Sequence, residues 1–198
     1  FRRVLFRSEY FNPGESVKDR AALFIVEDAL KKKLISKGGT IVEGTAGNTG
    51  IGLAVVCKEY GLNLKIVIPK TQSIEKKETL KELGAELIEV DAVPYADPKN
   101  YIKQSKQIAE DLNKTNSNGV YWANQFDNII NAEAHIQTTA EEIWNQTAGS
   151  VDGFTCAVGT GGTLAGVSIG LKNKDKNIKI ALSDPMGSSL YSHIKDNK

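Results

Sequence analysis

Lys18 follows a serine in the stretch SVKDRAA, residues 16–22. Ser16 reads as a helix cap and Asp19, three residues on, as its capping-box partner, which places Lys18 in the first turn of a helix. The N-terminal end of a helix carries partial positive charge, so a cation there is disfavoured. Such a lysine either swings its ammonium into water or works as a neutral amine whose pKa the helix end helps to lower. The neutral amine is the form that forms Schiff bases.

Two glycine-rich loops offer binding chemistry. EGTAGNTGIG (43–52) adds Thr45, Asn48 and Thr49 to its glycines. Hydroxyls, an amide and backbone N–H groups at a helix start suit a carboxylate; they also suit a plain cap. GTGGT (159–163) follows the apolar run FTCAV. Its successive N–H groups, with the helix start behind them, form an anion pocket suited to phosphate; a tight turn with no ligand is the alternative. The loop matches neither the dinucleotide nor the nucleoside-triphosphate fingerprint. A reactive lysine, a phosphate pocket and a carboxylate pocket together meet the needs of pyridoxal phosphate chemistry on an amino acid.

The elements that must hold these groups alternate along the chain. Helical patterns are expected over 16–35, from 45 to 61, 73–83 with Ser73 as cap, from Asp97-Pro98 to about 114, 132–147 and 161–172. Short apolar runs read as strands at 40–44, 64–69, 85–90, within 119–126, 153–159 and 178–185. Buried on both faces and separated by helices, they imply parallel sheet in an α/β fold, whose ligands bind beyond the carboxyl ends of the strands.

The 198 residues make one sizeable domain or two small ones, and 40% hydrophobic with 25% charged residues is a globular composition. A net charge of +1 gives no reason to expect nucleic acid or an anionic membrane surface as partner. Cys57 and Cys156 read as buried reduced thiols, which suggests a reducing compartment; the cytoplasm is expected, with an organelle as the alternative. His135 and His193 are isolated, so no metal site is expected. No apolar run approaches a membrane-spanning length. The opening FRRVLFRS, with three arginines and no acid, is set apart as a scar or a presequence remnant.

NPGESVKDR (12–20), EGTAGNTG (43–50), ANQFDN (123–128) and GTGGT (159–163), in this order, resemble the cysteine synthase (O-acetylserine sulfhydrylase) and cystathionine β-synthase family of fold-type II pyridoxal-phosphate enzymes. The resemblance runs from about Glu9 to the end of the chain. It implies two three-layer α/β domains with mostly parallel sheets, like the β subunit of tryptophan synthase, with pyridoxal 5′-phosphate in the cleft between them. Residues 9–128 would form the smaller N-terminal domain and 129–198 an incomplete part of the larger. By resemblance, Lys18 holds the cofactor as a Schiff base and moves protons, and Asn48 bonds the cofactor's ring hydroxyl oxygen. Thr45, Ala46, Gly47, Asn48 and Thr49 bind the substrate carboxylate with Gln125, and Gly159, Thr160, Gly161, Gly162 and Thr163 hold the phosphate. The implied reaction expels the β-substituent of an activated serine and adds sulfide or a thiol. A homodimer and the C-terminal tail of a serine acetyltransferase are the implied protein partners.

Glu15 stands where the family usually has a small or apolar residue, and Ala46 where serine is frequent. The hydroxyl facing the pyridine nitrogen would lie beyond Lys198, and no residue here is assigned to it; on this reading the chain is a fragment. Cystathionine β-synthase, with serine and homocysteine, is the nearest alternative. Serine/threonine dehydratases rank third, because Thr49 stands where they typically show histidine. A non-catalytic binding scaffold and a plain nucleotide-binding domain are the readings of other classes.

Overall fold

Short apolar runs bounded by turns become parallel strands, and the helices between them cover the faces. A computed structural model describes residues 4–196. The chain divides into two units between Asn128 and Ile129, each taken by itself here.

The first unit opens with a 3₁₀ turn, Glu9–Phe11. It continues through α1 (Lys18–Lys31), β1 (Thr40–Gly44), α2 (Asn48–Tyr60), β2 (Asn63–Pro69), α3 (Ile74–Glu82), β3 (Glu86–Val90), α4 (Tyr101–Asn113) and β4 (Val120–Trp122). Its four-stranded sheet has the order β3-β2-β1-β4, and every pair is parallel, with Ile41 opposite Leu64 and Tyr121, and Val67 opposite Ile88. Strand β1 has a neighbour on both edges, and all five of its residues are buried. Side chains alternate across the sheet. Val42, Val67, Val90 and Val120 pack on Ala109 of α4. On the other face Gly50 of α2 lies against Ile66 and Leu80. Helix α1 buries Ala21, Ala22, Ile25, Val26 and Ala29, the spacing of one helical face. Each fully buried Ile or Val contributes about 1.5–3 kcal/mol. Helix α2 stops at Gly61, whose φ of 64° puts it in the left-handed region.

The second unit comprises α5 (Ile130–Ala134), a π-helical segment His135–Thr139, α6 (Ala140–Gln146), β5 (Gly153–Ala157), α7 (Gly162–Lys174), β6 (Lys179–Ser183) and α8 (Ser189–Asp196). Strands β5 and β6 pair in parallel, Thr155 opposite Ala181. Val167 and Leu171 of α7 join Ala140, Ile178, Phe154 and Ile180 in one apolar cluster. A Cβ on Gly166 would come within 2.2 Å of the Ala132 carbonyl oxygen, and one on Gly170 within 2.4 Å of the Ala140 Cβ. Gly166→Ala is therefore expected to destabilise the protein by about 1–3 kcal/mol despite alanine's better helix propensity, read as a lowered urea midpoint; an unchanged midpoint would contradict the close packing.

Four local expectations change. Helix α4 starts at Tyr101, because the Asn100 side chain accepts from the Ile102 N–H at 3.1 Å, while Asp97 caps only a turn through the Lys99 N–H at 2.7 Å. Ser73 precedes α3 but makes no side-chain cap bond. The expected helix 132–147 is interrupted by the π segment. Cys57 is buried, and burial pushes its thiol up to about 12, but Cys156 is only partly buried. Neither forms a disulfide.

Candidate functional site

In the first unit the chain steps from β1 through β2 to the edge strand β3, then returns to the other side of β1 as β4. In open α/β sheets such a reversal of strand order marks where ligands bind, at the carboxyl ends of the strands; here the segments that follow β1 and β4 meet there through Thr49 and Gln125. Thr45 is buried there; its N–H donates to the Val67 carbonyl at 3.1 Å and its Oγ1 accepts from the Gly47 N–H at 3.2 Å. Ala46 and Gly47 are half-buried, and Asn48, the first residue of α2, is exposed. Thr49 is buried and its hydroxyl donates to Gln125 Oε1 at 2.5 Å, across 76 residues of sequence. Gln125 is buried as well, after Asn124, whose φ of 49° gives the loop a left-handed kink.

Beneath this pair lies Glu43, 1% exposed at the end of β1. Gln125 Nε2 donates to its Oε1 at 3.2 Å, while Oε2 is buried with no hydrogen-bond partner. Burial pushes the Glu43 carboxyl up to about 8, against the opposing pull of the Gln125 side chain and the Asn124 and Gln125 backbone amides. At neutral pH it is mostly a neutral acid.

Lys18 begins α1 and is half-buried; its N–H donates to Ser16 Oγ at 3.2 Å. The Asp19 carboxylate reaches back past Ser16 to the Gly14 N–H at 2.5 Å. The turn is tighter than a simple capping box, and a Cβ on Gly14 would lie 2.5 Å from Asp19 Oδ1. Burial raises the Asp19 carboxyl above its ordinary value, with the Gly14 N–H opposing. Glu9 braces the same segment: Arg20 and Arg7 each bond it at 2.6 Å and Asn12 at 2.7 Å. Burial would raise Glu9, but these bonds outweigh it and hold the carboxyl below the usual range. Glu15, whose φ is 59°, is exposed.

In the second unit Gly159–Thr163 joins β5 to α7. Gly161 has a φ of 89°, which favours glycine, and Cβ atoms on Gly159 or Gly161 would meet nothing within 4 Å. Gly162 faces inward, where a Cβ would fall 2.2 Å from Asn131 Oδ1. Asn131 Nδ2 donates to Thr160 Oγ1 at 2.9 Å. The Thr163 hydroxyl lies 3.1 Å from His135 Nε2, and His135 Nδ1 lies 2.9 Å from Thr139 Oγ1. His135 is thus not isolated: it is 1% exposed with both ring nitrogens engaged. Asn131 and His135 support the loop although they lie outside the sequence motifs. The legible signal was a polar pair four residues apart on a helix facing a threonine-bearing loop.

The first unit therefore brings Thr49 into contact with Gln125, on the same loop as Thr45, Ala46 and Gly47, with Asn48 exposed. Lys18 starts the helix packed against α2, where a Cβ on Gly52 would lie 3.0 Å from Asp19 Oδ1. Gly159, Thr160, Gly161, Gly162 and Thr163 form one loop in the second unit. A depression lined by Cys57, Leu62 and Leu83 lies at the other end of α2 from Asn48. Among the described residues no helix is long and apolar enough to cross a membrane.

Several known proteins are similar to this chain. Cysteine synthase 1 of Neurospora crassa is 53% identical over 192 residues, covering 96% of this chain and 50% of that protein. A hydrogen sulfide-producing enzyme from Fusobacterium nucleatum superposes with a TM-score of 0.83 at 41% identity, over 94% of this chain and 59% of that one. Cysteine synthase from Entamoeba histolytica gives 0.80 at 39% identity, over 94% and 53%. The chain spans about half the length of the curated relatives it matches. The family model described as pyridoxal-phosphate dependent enzyme matches residues 2–198, so the chain belongs to that family.

Proposed function

We propose that this chain serves cysteine formation: replacement of the β-substituent of an activated serine of the O-acetylserine type by a sulfur nucleophile. The observation that carries the reading is the Thr49–Gln125 pair in a crevice suited to an amino-acid carboxylate, in a chain about half identical to cysteine synthases. The residues fit the cofactor, since Gly159 and Gly161 leave open space where side chains would otherwise stand.

Pyridoxal 5′-phosphate, when bound, supplies a conjugated ring that delocalises negative charge developing at the substrate Cα. The backbone N–H groups of Gly159–Thr163, at the start of α7, bind the phosphate. Asn131 and His135 orient the Thr160 and Thr163 hydroxyls toward that task. The Asn48 amide would hold the ring hydroxyl oxygen. Lys18 Nζ, as the neutral amine, takes the proton from Cα and returns it. Thr45, Thr49 and Gln125, with the backbone at Ala46 and Gly47, hold the carboxylate and so aim the Cα–H bond at the base. In the same reading the protein acts as a cytoplasmic homodimer and its carboxylate crevice accepts the C-terminal tail of a serine acetyltransferase; the family resemblance supports both.

The test is spectroscopic and kinetic. Loaded with pyridoxal 5′-phosphate, the protein is expected to show an absorbance band near the edge of the visible that borohydride bleaches, and to make cysteine from O-acetylserine and sulfide. Faster turnover of serine with homocysteine would move the assignment to cystathionine formation. No band and no product with either donor would overturn it.

A further inference from the structure

The crevice contains one buried acid that the proposed chemistry does not use. Glu43 stands at the end of the central strand, 1% exposed. Its Oε1 takes the Gln125 amide at 3.2 Å, and Gln125 Oε1 in turn takes the Thr49 hydroxyl at 2.5 Å. All three side chains are buried, and the other Glu43 oxygen, Oε2, has no hydrogen-bond partner. A buried acid with one bonded and one orphaned oxygen is a costly arrangement that an apolar residue would avoid. Its distinctive product is an oriented neighbour. An amide that must give N–H to Glu43 and take O–H from Thr49 is locked in one flip state.

We propose that Glu43 is a positioning residue for the amino-acid carboxylate, acting through Gln125 and, beyond it, Thr49. The proposal rests on the reading of Thr49 and Gln125 as carboxylate-binding groups. The acid itself does not touch the substrate. It fixes the amide so that its N–H edge and the Thr49 hydroxyl keep one arrangement, and it supplies the acceptor that holds this edge against rotation. Tyr101 is the other titratable group coupled to it: its phenol is raised by burial and, secondarily, by the Glu43 charge.

The experiment compares Glu43→Leu, Glu43→Gln, Gln125→Leu and the Glu43→Leu/Gln125→Leu double variant in the holoprotein. Affinity for O-acetylserine, or for a non-reacting amino acid, is measured by calorimetry, and KM and kcat are measured alongside. Glu43→Gln keeps an uncharged acceptor and is expected to bind within about twofold of the wild type. Glu43→Leu is expected to weaken amino-acid binding about tenfold, the loss of roughly one oriented hydrogen bond, with a matching rise in KM and little change in cofactor affinity. The double variant is expected to match Gln125→Leu alone, since a residue acting through another adds nothing once that other is gone. Multiplying effects, or equal binding by Glu43→Leu and wild type, would overturn the positioning role. Should Glu43→Leu not fold, the Gln125 side-chain amide protons decide. Protection from exchange in wild type and Glu43→Gln supports the proposal, and free exchange in the wild type overturns it. If the wild-type holoprotein binds no amino acid at all, the functional reading itself has failed, and the positioning role falls with it.

Discussion

Lys18→Ala is expected to reduce cysteine formation by about 10³-fold or more, because a positioned acid–base group contributes on the order of 10²–10⁴ and, on the proposed function, the same amine would also hold the cofactor. The borohydride-sensitive absorbance band should disappear in the same variant. Stability should barely change. Lys18 is half-buried in the first turn of α1, where a cation is disfavoured and alanine is a better helix former. Lys18→Arg separates charge from chemistry: it retains the cation, but its guanidinium does not give up its proton and cannot replace the amine. Steady-state rates for the two variants, with borohydride treatment as a control, make the measurement. Activity within tenfold of wild type in either variant would remove Lys18 from the reaction.

The second large effect is a dependence of stability on pH that originates at Glu43. Its folded pKa of about 8 lies well above the ordinary value of 4.5. Between those two values the unfolded acid has lost its proton while the folded acid keeps it. The native state binds more protons there, so the Glu43 contribution to stability is fullest below pH 4.5, falls as pH rises toward 8, and levels off beyond. At 1.36 kcal/mol per pH unit the contribution is on the order of 5 kcal/mol across the window. Glu43→Gln removes the titration. It should match the wild type near pH 4.5 and exceed it by several kcal/mol near pH 8. Urea midpoints of both proteins at the two pH values supply the comparison. Parallel pH curves for wild type and variant would show that Glu43 titrates normally. Asp19, also raised by burial, contributes in the same direction to both curves and cancels in the difference.

The strands were the most legible part of the fold. TIVEG and NLKIVIP are apolar runs stopped by turns, and their burial on both faces follows from having a strand on either side and helices above and below. Helix ends were harder to read, because they depend on which of several polar residues captures the free N–H groups. Asp97 and Asn100 are both good caps, and only the folded turn shows that Asn100 holds α4. The loops were visible as glycine clusters, but their supports were not. Glu43 lies inside the EGTAGNTG motif, yet its character comes from burial and from Gln125, 82 residues away. His135 looked solitary because its partner in the glycine loop is 28 residues on. Local pattern finds groups that act on the chain nearby; it does not find those whose partner arrives by a long connection.

The pairing of β1 with β4 sets Thr40 opposite Val120, so the sheet closes only after eighty residues have been gathered in. Contacts of such long range form slowly, because loop closure costs entropy before pairing returns it. Thr45 and Thr49 are placed as soon as β1 and α2 dock, but Gln125 arrives only with the last strand. The Thr49–Gln125 contact thus requires the last strand of the unit to be in place. On the proposed function, an amino acid held there would bind the finished unit and not its precursors. It shifts the equilibrium by mass action, leaving the rate of arrival largely alone and lengthening the lifetime of what has arrived.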